Sequence, residues 1–169
     1  MSSRLDEHVA RHQSQVSHGL QQQQELQPAA DLMLRFAERT GLALQRPQQR
    51  YLWTDAFAVS NFLTLARATA DGGYLRLAFA LIDRVHEVLG KHRSDDSRTG
   101  WLSGLAEEIG ASHPTRGGLR IGKRLPERHA EEPFDAELEW DRDGQYFHYL
   151  TRWMHAFGSG GARHRTGAL

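Results

Sequence analysis

Three carboxylates at alternate positions, Glu139, Asp141 and Asp143, stand in the stretch Glu139-Trp140-Asp141-Arg142-Asp143-Gly144-Gln145-Tyr146-Phe147-His148-Tyr149. Acids set among aromatic rings suit sugar chemistry. One carboxyl protonates a leaving oxygen, a second acts as base or stabilises developing positive charge, and the rings stack on the apolar face of the sugar. A fourth acid, Asp55, has similar surroundings in Trp53-Thr54-Asp55-Ala56-Phe57. The competing use of these acids is architectural. An Asp just ahead of a helix accepts from its free N–H groups and meets the positive end of its dipole. Asp141 or Asp143 is therefore expected to cap the helix that follows, and Asp55 to lie in a first turn with Thr54 as N-cap. Three carboxylates and a Trp exceed what one cap needs, and the surplus marks the stretch as a candidate site.

Other residues offer weaker chemistry. His113, with Arg116 close by, and His148 are the histidines placed to carry a proton near neutral pH. The ten histidines form no metal-ligand pattern, since His8, His12 and His18 approach such spacing only in a polar leader. No metal and no cofactor is implied. Gly117-Gly118-Leu119-Arg120-Ile121-Gly122-Lys123 lacks the Gly-Lys-Ser/Thr ending and the preceding strand of a phosphate loop. Arg116, Arg120, Lys123 and Arg124 remain available to an anionic group or, more commonly, to solvent.

The elements that must position these residues read as helices. Residues 1–27 are polar and Gln-rich, the pattern of a partly ordered leader. Pro28 suits the first turn of a helix running to about Thr40, with Gly41 as its stop. From Ala56 to Ala70 the apolar residues Phe57, Val59, Phe62, Leu63 and Leu65 leave almost no polar face, which predicts a helix buried on all sides. After the turn Asp71-Gly72-Gly73, Tyr74 to Leu89 carries one apolar stripe and a charged face, so an outer helix pairs antiparallel with the buried one. Between Gly90 and Leu138 the chain is irregular, with one short helix predicted over 103–109 and a small hairpin over 115–123. Long irregular segments inside a domain are commonly functional. The last helix presents Tyr146, Tyr149, Leu150, Trp153, Met154 and Phe157 along one face. Residues 158–169 lose all patterning and read as a flexible tail. The expected class is all-α, with a helical-hairpin domain over 28–157.

Composition bounds the function. The 169 residues hold 21 Lys+Arg and 21 Asp+Glu, so no basic field points to nucleic acid. Cysteine is absent, which removes disulfides and thiolate chemistry. No apolar run of signal or membrane-span length occurs, so a soluble, cytoplasmic protein is expected.

Four phrases carry a resemblance: Arg50-Tyr51-Leu52-Trp53-Thr54-Asp55-Ala56-Phe57-Ala58-Val59, Gly100-Trp101-Leu102-Ser103-Gly104-Leu105, His113-Pro114-Thr115-Arg116-Gly117-Gly118-Leu119-Arg120-Ile121-Gly122-Lys123, and the acidic-aromatic stretch. Together, over roughly Ala29 to Phe157, they resemble bacterial members of the six-hairpin glycosidase superfamily. The resemblance implies an (α/α)6 toroid of inner and outer helices that hydrolyses or isomerises sugars with Asp or Glu at one end of the inner ring. On that basis Asp55, Glu139, Asp141 and Asp143 are the expected catalytic carboxylates. Trp53, Trp101 and Tyr146 are expected stacking surfaces, and His113, Arg116 and His148 expected substrate contacts. A toroid needs about twelve helices of roughly 11–12 residues, more than this length holds, so an amino-terminal fragment is expected. Two rival readings remain: a sugar epimerase or isomerase using the histidines, and a non-catalytic helical module whose exposed apolar helices self-associate or meet a partner.

Overall fold

The computed structural model describes residues 21, 24–42 and 49–161, and over them the fold is all-α. Six helices occur among the described residues. They are α1 (residues 24–39), α2 (Leu52–Thr69), α3 (Gly72–Leu89), α4 (Glu107–Ser112), α5 (Ala136–Glu139) and α6 (Phe147–Gly161). His8, His12 and His18 of the leader, residues 43–48, the tail from 162 and the side chain of Phe157 lie outside the described residues.

Helix α1 is already formed at residue 24, so Pro28 stands inside it rather than at its first position. Its end is the expected one. Gly41 adopts φ 62°, Gly41 N donates to Glu38 O and Leu42 N to Ala37 O, which closes the helix on its own last carbonyls. Leu42 then folds back into the core.

Helices α2 and α3 form the predicted antiparallel hairpin. Ala70 turns the chain at φ 54°, and the Asp71 carboxylate accepts from Gly73 N to start α3. Ala78, Leu81, Ile82, Val85 and Leu89 bury the α3 stripe against Leu52, Ala56, Val59, Phe62 and Leu63 of α2. Met33 and Ala37 of α1 and Trp153 and Ala156 of α6 complete one core.

Helix α2 departs from the expectation of burial all round. Trp53 and Phe57 are 37% and 38% exposed, because the neighbours α1, α3 and α6 leave one of its faces open. Thr54 is not its N-cap either. The helix starts at Leu52, whose N–H is taken by Ile121 O, and the Thr54 hydroxyl donates back to Tyr51 O. Along α6, Tyr149 meets Tyr51 and Trp53 while Arg152 meets Phe57. Partners ascend together, so α2 and α6 run in the same direction at this end, and α3 runs against them.

The irregular stretch from 90 to 146 gathers where α2 and α6 begin and α3 ends. Its centre is residues 119–125, which form no hairpin with their own neighbours. Arg120 N donates to Leu89 O, Ile121 N to Gly144 O and Leu125 N to Asp141 O, while Asp143 N donates to Leu125 O. One extended strap thus ties the ends of α2 and α3 to the acidic stretch. Gly122 makes this possible: its φ is +84°, and a Cβ there would fall 1.9 Å from Arg50 O. Two short helices interrupt this region: α4 at Glu107–Ser112, a few residues beyond the predicted 103–109, and α5 at Ala136–Glu139, which the sequence pattern did not announce. At the other end of the chain, residues 158–161 continue α6 and are not a loose tail.

Candidate functional site

The acidic residues separate into two kinds. Asp143 is only 2% exposed and is fully engaged. Its Oδ1 accepts Gly122 N at 2.7 Å and Gly144 N at 3.0 Å, and its Oδ2 meets the guanidinium of Arg120 and, at 3.4 Å, that of Arg93. Both arginines are themselves anchored. Arg120 donates to Val88 O and Lys91 O at the end of α3, where a cation also suits the negative end of the helix dipole. Arg93 forks onto Asp95 and donates to the carbonyls of Lys123 and Arg124. Asp143 therefore locks the strap to α3 and caps no helix, since α6 begins only at Phe147. It reaches the wall of a cavity of about 1000 Å3 with both oxygens already used.

Asp55 lies at the other side of the strap, 1% exposed, against Arg50, which is 3% exposed. Arg50 Nη2 donates to Asp55 Oδ1 at 3.2 Å. Nε stands 3.1 Å from Oδ2 but is angled off it, and neither atom has a hydrogen bond among the described residues. Burial pushes the Asp55 carboxyl up to about 6, with Arg50 and the Tyr51 backbone pulling it part of the way back.

Glu139 and Asp141 are the accessible acids. Glu139 closes α5 and accepts from Arg128 Nε at 2.7 Å, and Asp141 meets Arg124 at 3.3 Å. Both pairs are partly open to solvent, where such contacts contribute little.

The aromatic residues converge where the acids do not. Tyr149, at the start of α6, packs edge-on against Trp53 (5.2 Å between centroids) and Tyr51 (5.9 Å), and the two tyrosine hydroxyls hydrogen-bond at 2.7 Å. Tyr146 and His148 join the same cluster, at 6.1 and 4.6 Å from Tyr149. Burial and the Tyr51 hydroxyl push the Tyr149 phenol up to about 12. Burial, then the charges of Glu139 and Glu127, also raise Tyr146, which puts Glu139 within electrostatic reach of the cluster. Lys123 leaves the strap to stand 5.3 Å from the Tyr51 ring and 5.6 Å from the Trp140 ring, and Arg152 lies 4.0 Å over Phe57. Trp53 keeps a third of its surface open, and Trp140, at 80%, nearly all of it.

Three predicted contacts lie elsewhere. Trp101 is 3% exposed, covered on one side by Lys91 and on another by Gly110, where a Cβ would fall 2.2 Å from its ring. It plugs the loop onto α4 and shows no face to a sugar. His113 and Arg116 line a cavity of about 860 Å3 with Leu119, Leu150 and Trp153, a cavity that His148 does not border. The two histidines are not brought together.

Sequence reasoning passed over Tyr51, Tyr149 and Trp140 as ring surfaces and Arg50, Arg93 and Arg120 as partners of the buried acids. Among the described residues no group of three or more His, Asp or Glu is placed to hold a metal ion. No described helix is long and apolar enough to cross a membrane. No protein-family model, curated protein or solved structure matches the chain.

Proposed function

We propose that this chain binds carbohydrate at the shared end of α2 and α6, as the sugar-holding part of a six-hairpin glycosidase-like protein. The observation that carries this reading is the ring cluster of Trp53, Tyr146, His148 and Tyr149 with Trp140 beside it, open to solvent and supported by rigid helix starts. Rings of this kind offer flat apolar faces to the C–H side of a sugar, and the nearby hydroxyl, imidazole and ammonium groups supply polar contacts to its hydroxyls. On this reading the accessible acids Glu139 and Asp141 supply the carboxylates, and the electrostatic reach of Glu139 to Tyr146 supports the first of them. Asp55 and Asp143 serve the architecture beneath it. The common direction of α2 and α6, with α3 opposed, also favours the toroid reading, in which inner helices run parallel and outer ones return.

Calorimetric titration with neutral oligosaccharides tests this. Binding is expected for the native chain and is expected to weaken at least tenfold in Trp53→Ala. Equal binding by both chains, or none by either at millimolar sugar, would remove the platform from this role.

A second reading rests on a different observation. Phe79 on α3 is 51% exposed, and Phe147 and Met154 on α6 are 82% and 68% exposed. Apolar groups open to this degree on neighbouring helices favour the interaction module, covered by a second copy or by further helices. Sedimentation velocity distinguishes them: a concentration-dependent dimer that Phe79→Ser abolishes supports the module.

A further inference from the structure

Beside the aromatic cluster lies a smaller cavity of about 310 Å3, and its lining is one-sided in charge. Arg50, Arg93, Arg120, Lys123 and Arg124 border it, with Asp95 as the one carboxylate. Most of these cations are matched by acids: Arg93 by Asp95 in the lining itself, and Arg50 by Asp55, Arg120 by Asp143 and Arg124 by Asp141, none of which borders the cavity. The buried pairings fix the guanidinium groups of Arg50, Arg93 and Arg120 in place without turning the cavity acidic, and the exposed Arg124 pair leaves that side chain able to move. Lys123 differs from the rest. It has no carboxylate within ion-pair distance among the described residues, and its ammonium is held only by the Tyr51 and Trp140 ring faces. It also lies on the boundary, lining the cavity on one side and topping the aromatic cluster on the other. An ammonium with no carboxylate partner beside fixed guanidinium groups is a site for an anion.

We propose that this cavity is an anion site that receives the carboxylate or phosphate of an acidic sugar whose ring lies on the aromatic cluster. The inference rests on the carbohydrate reading above for the ring, and on Lys123 and its cavity for the charge. Lys123 bonds the anionic oxygens directly, Arg124 turns from Asp141 toward them, and Arg93 and Arg120 supply fixed positive charge behind. A neutral sugar stacks on the same rings but leaves Lys123 unmatched. Selection between neutral and acidic sugars is therefore set by this one side chain.

The test titrates the native chain, Lys123→Gln and Lys123→Arg with four probes at low salt: glucose, glucuronate, glucose 6-phosphate and inorganic phosphate. Glucuronate or glucose 6-phosphate is expected to bind about tenfold or more tightly than glucose. That preference is expected to vanish in Lys123→Gln, to survive in Lys123→Arg, and to fall with added salt while glucose binding stays level. Which acidic sugar wins separates a carboxylate site from a phosphate site. Equal affinity for glucose and both acidic sugars overturns the anion site and leaves the ring platform standing. Phosphate bound through Lys123 with no sugar bound keeps the anion site and overturns the carbohydrate reading. Binding of no probe overturns both.

Discussion

The buried ion-pair centres and the aromatic cluster lie at the same end of the molecule and use their residues in opposite ways. Around Asp143 every polar atom has a partner: two backbone N–H groups, two arginines, and carbonyls behind the arginines. Around Trp53 and Trp140 the rings pack on each other yet keep open faces. A charged group taken out of water needs compensating partners, because its desolvation cost is several kcal/mol. A ring has no such demand and can stay half-exposed at small cost. Asp143, so prominent as a catalytic candidate in the sequence, is consequently committed to holding the strap, while Asp55 is buried against Arg50. The less buried acids, in solvent-open pairs with Arg128 and Arg124, and the rings keep surface that a ligand can reach.

The sharpest way to break this contrast is to remove a matched charge. Asp143→Ala leaves Arg120 without its carboxylate and the N–H groups of Gly122 and Gly144 unmet, and is expected to cost about 3–5 kcal/mol. A thermal melt that stayed within a degree of native would free Asp143 for chemistry. Trp101→Ala, which empties a filled space beside Gly110, is expected to cost a similar 3–5 kcal/mol or so. Urea denaturation measures it.

Asp55 gives a smaller effect with a pH signature. Its folded value, about 6, stands above the ordinary 3.8, so the folded chain holds a proton that the unfolded chain has lost in that interval. The stability contributed by this group is therefore greatest below the interval, declines as pH rises through it, and is level above about 6. Carbon-13 titration of the Asp55 carboxyl is expected to find a midpoint near 6. A midpoint in the ordinary range would mean that Arg50 and the backbone offset the burial fully, and would remove the pH signature. Asp55→Asn leaves Arg50 less well matched and is expected to cost about 1–3 kcal/mol near neutral pH.

At the smallest end, Trp140→Ala is expected to change stability by less than about 0.5 kcal/mol while weakening sugar binding. A large loss of stability there would place Trp140 with Trp101 as structure.

Much of the helical frame was legible in the sequence. The stripe from Tyr74 to Leu89 contains the buried residues of α3, Ala78, Leu81, Ile82, Val85 and Leu89, and Gly41 ends α1 where its freedom at positive φ predicts. Local pattern carries such information because helix neighbours are three and four residues apart. The site is different. The Tyr51–Tyr149 hydrogen bond joins residues 98 positions apart, and Arg93 reaches Asp143 across 50. Nothing local in Asp141-Arg142-Asp143 separates an acid that caps a following helix from one that anchors a distant strap. The apolar-rich sequence of α2 likewise stated how hydrophobic the helix is, and said nothing of whether neighbours cover Trp53 and Phe57. Buried and exposed tryptophans also read alike, since Trp101 owes its burial to Gly110 and Lys91, both distant in the chain or across a loop.

The four indoles make the most direct test possible. In a nitrogen-15 labelled chain, each Trp N–H gives its own signal, two from the exposed Trp53 and Trp140 and two from the buried Trp101 and Trp153. Titration with the tightest-binding sugar is predicted to move the Trp53 and Trp140 signals together, with one saturation curve, and to leave Trp101 and Trp153 in place. Movement of Trp101 or Trp153 instead, or none at all, would contradict the assignment of sugar binding to the α2–α6 ring cluster.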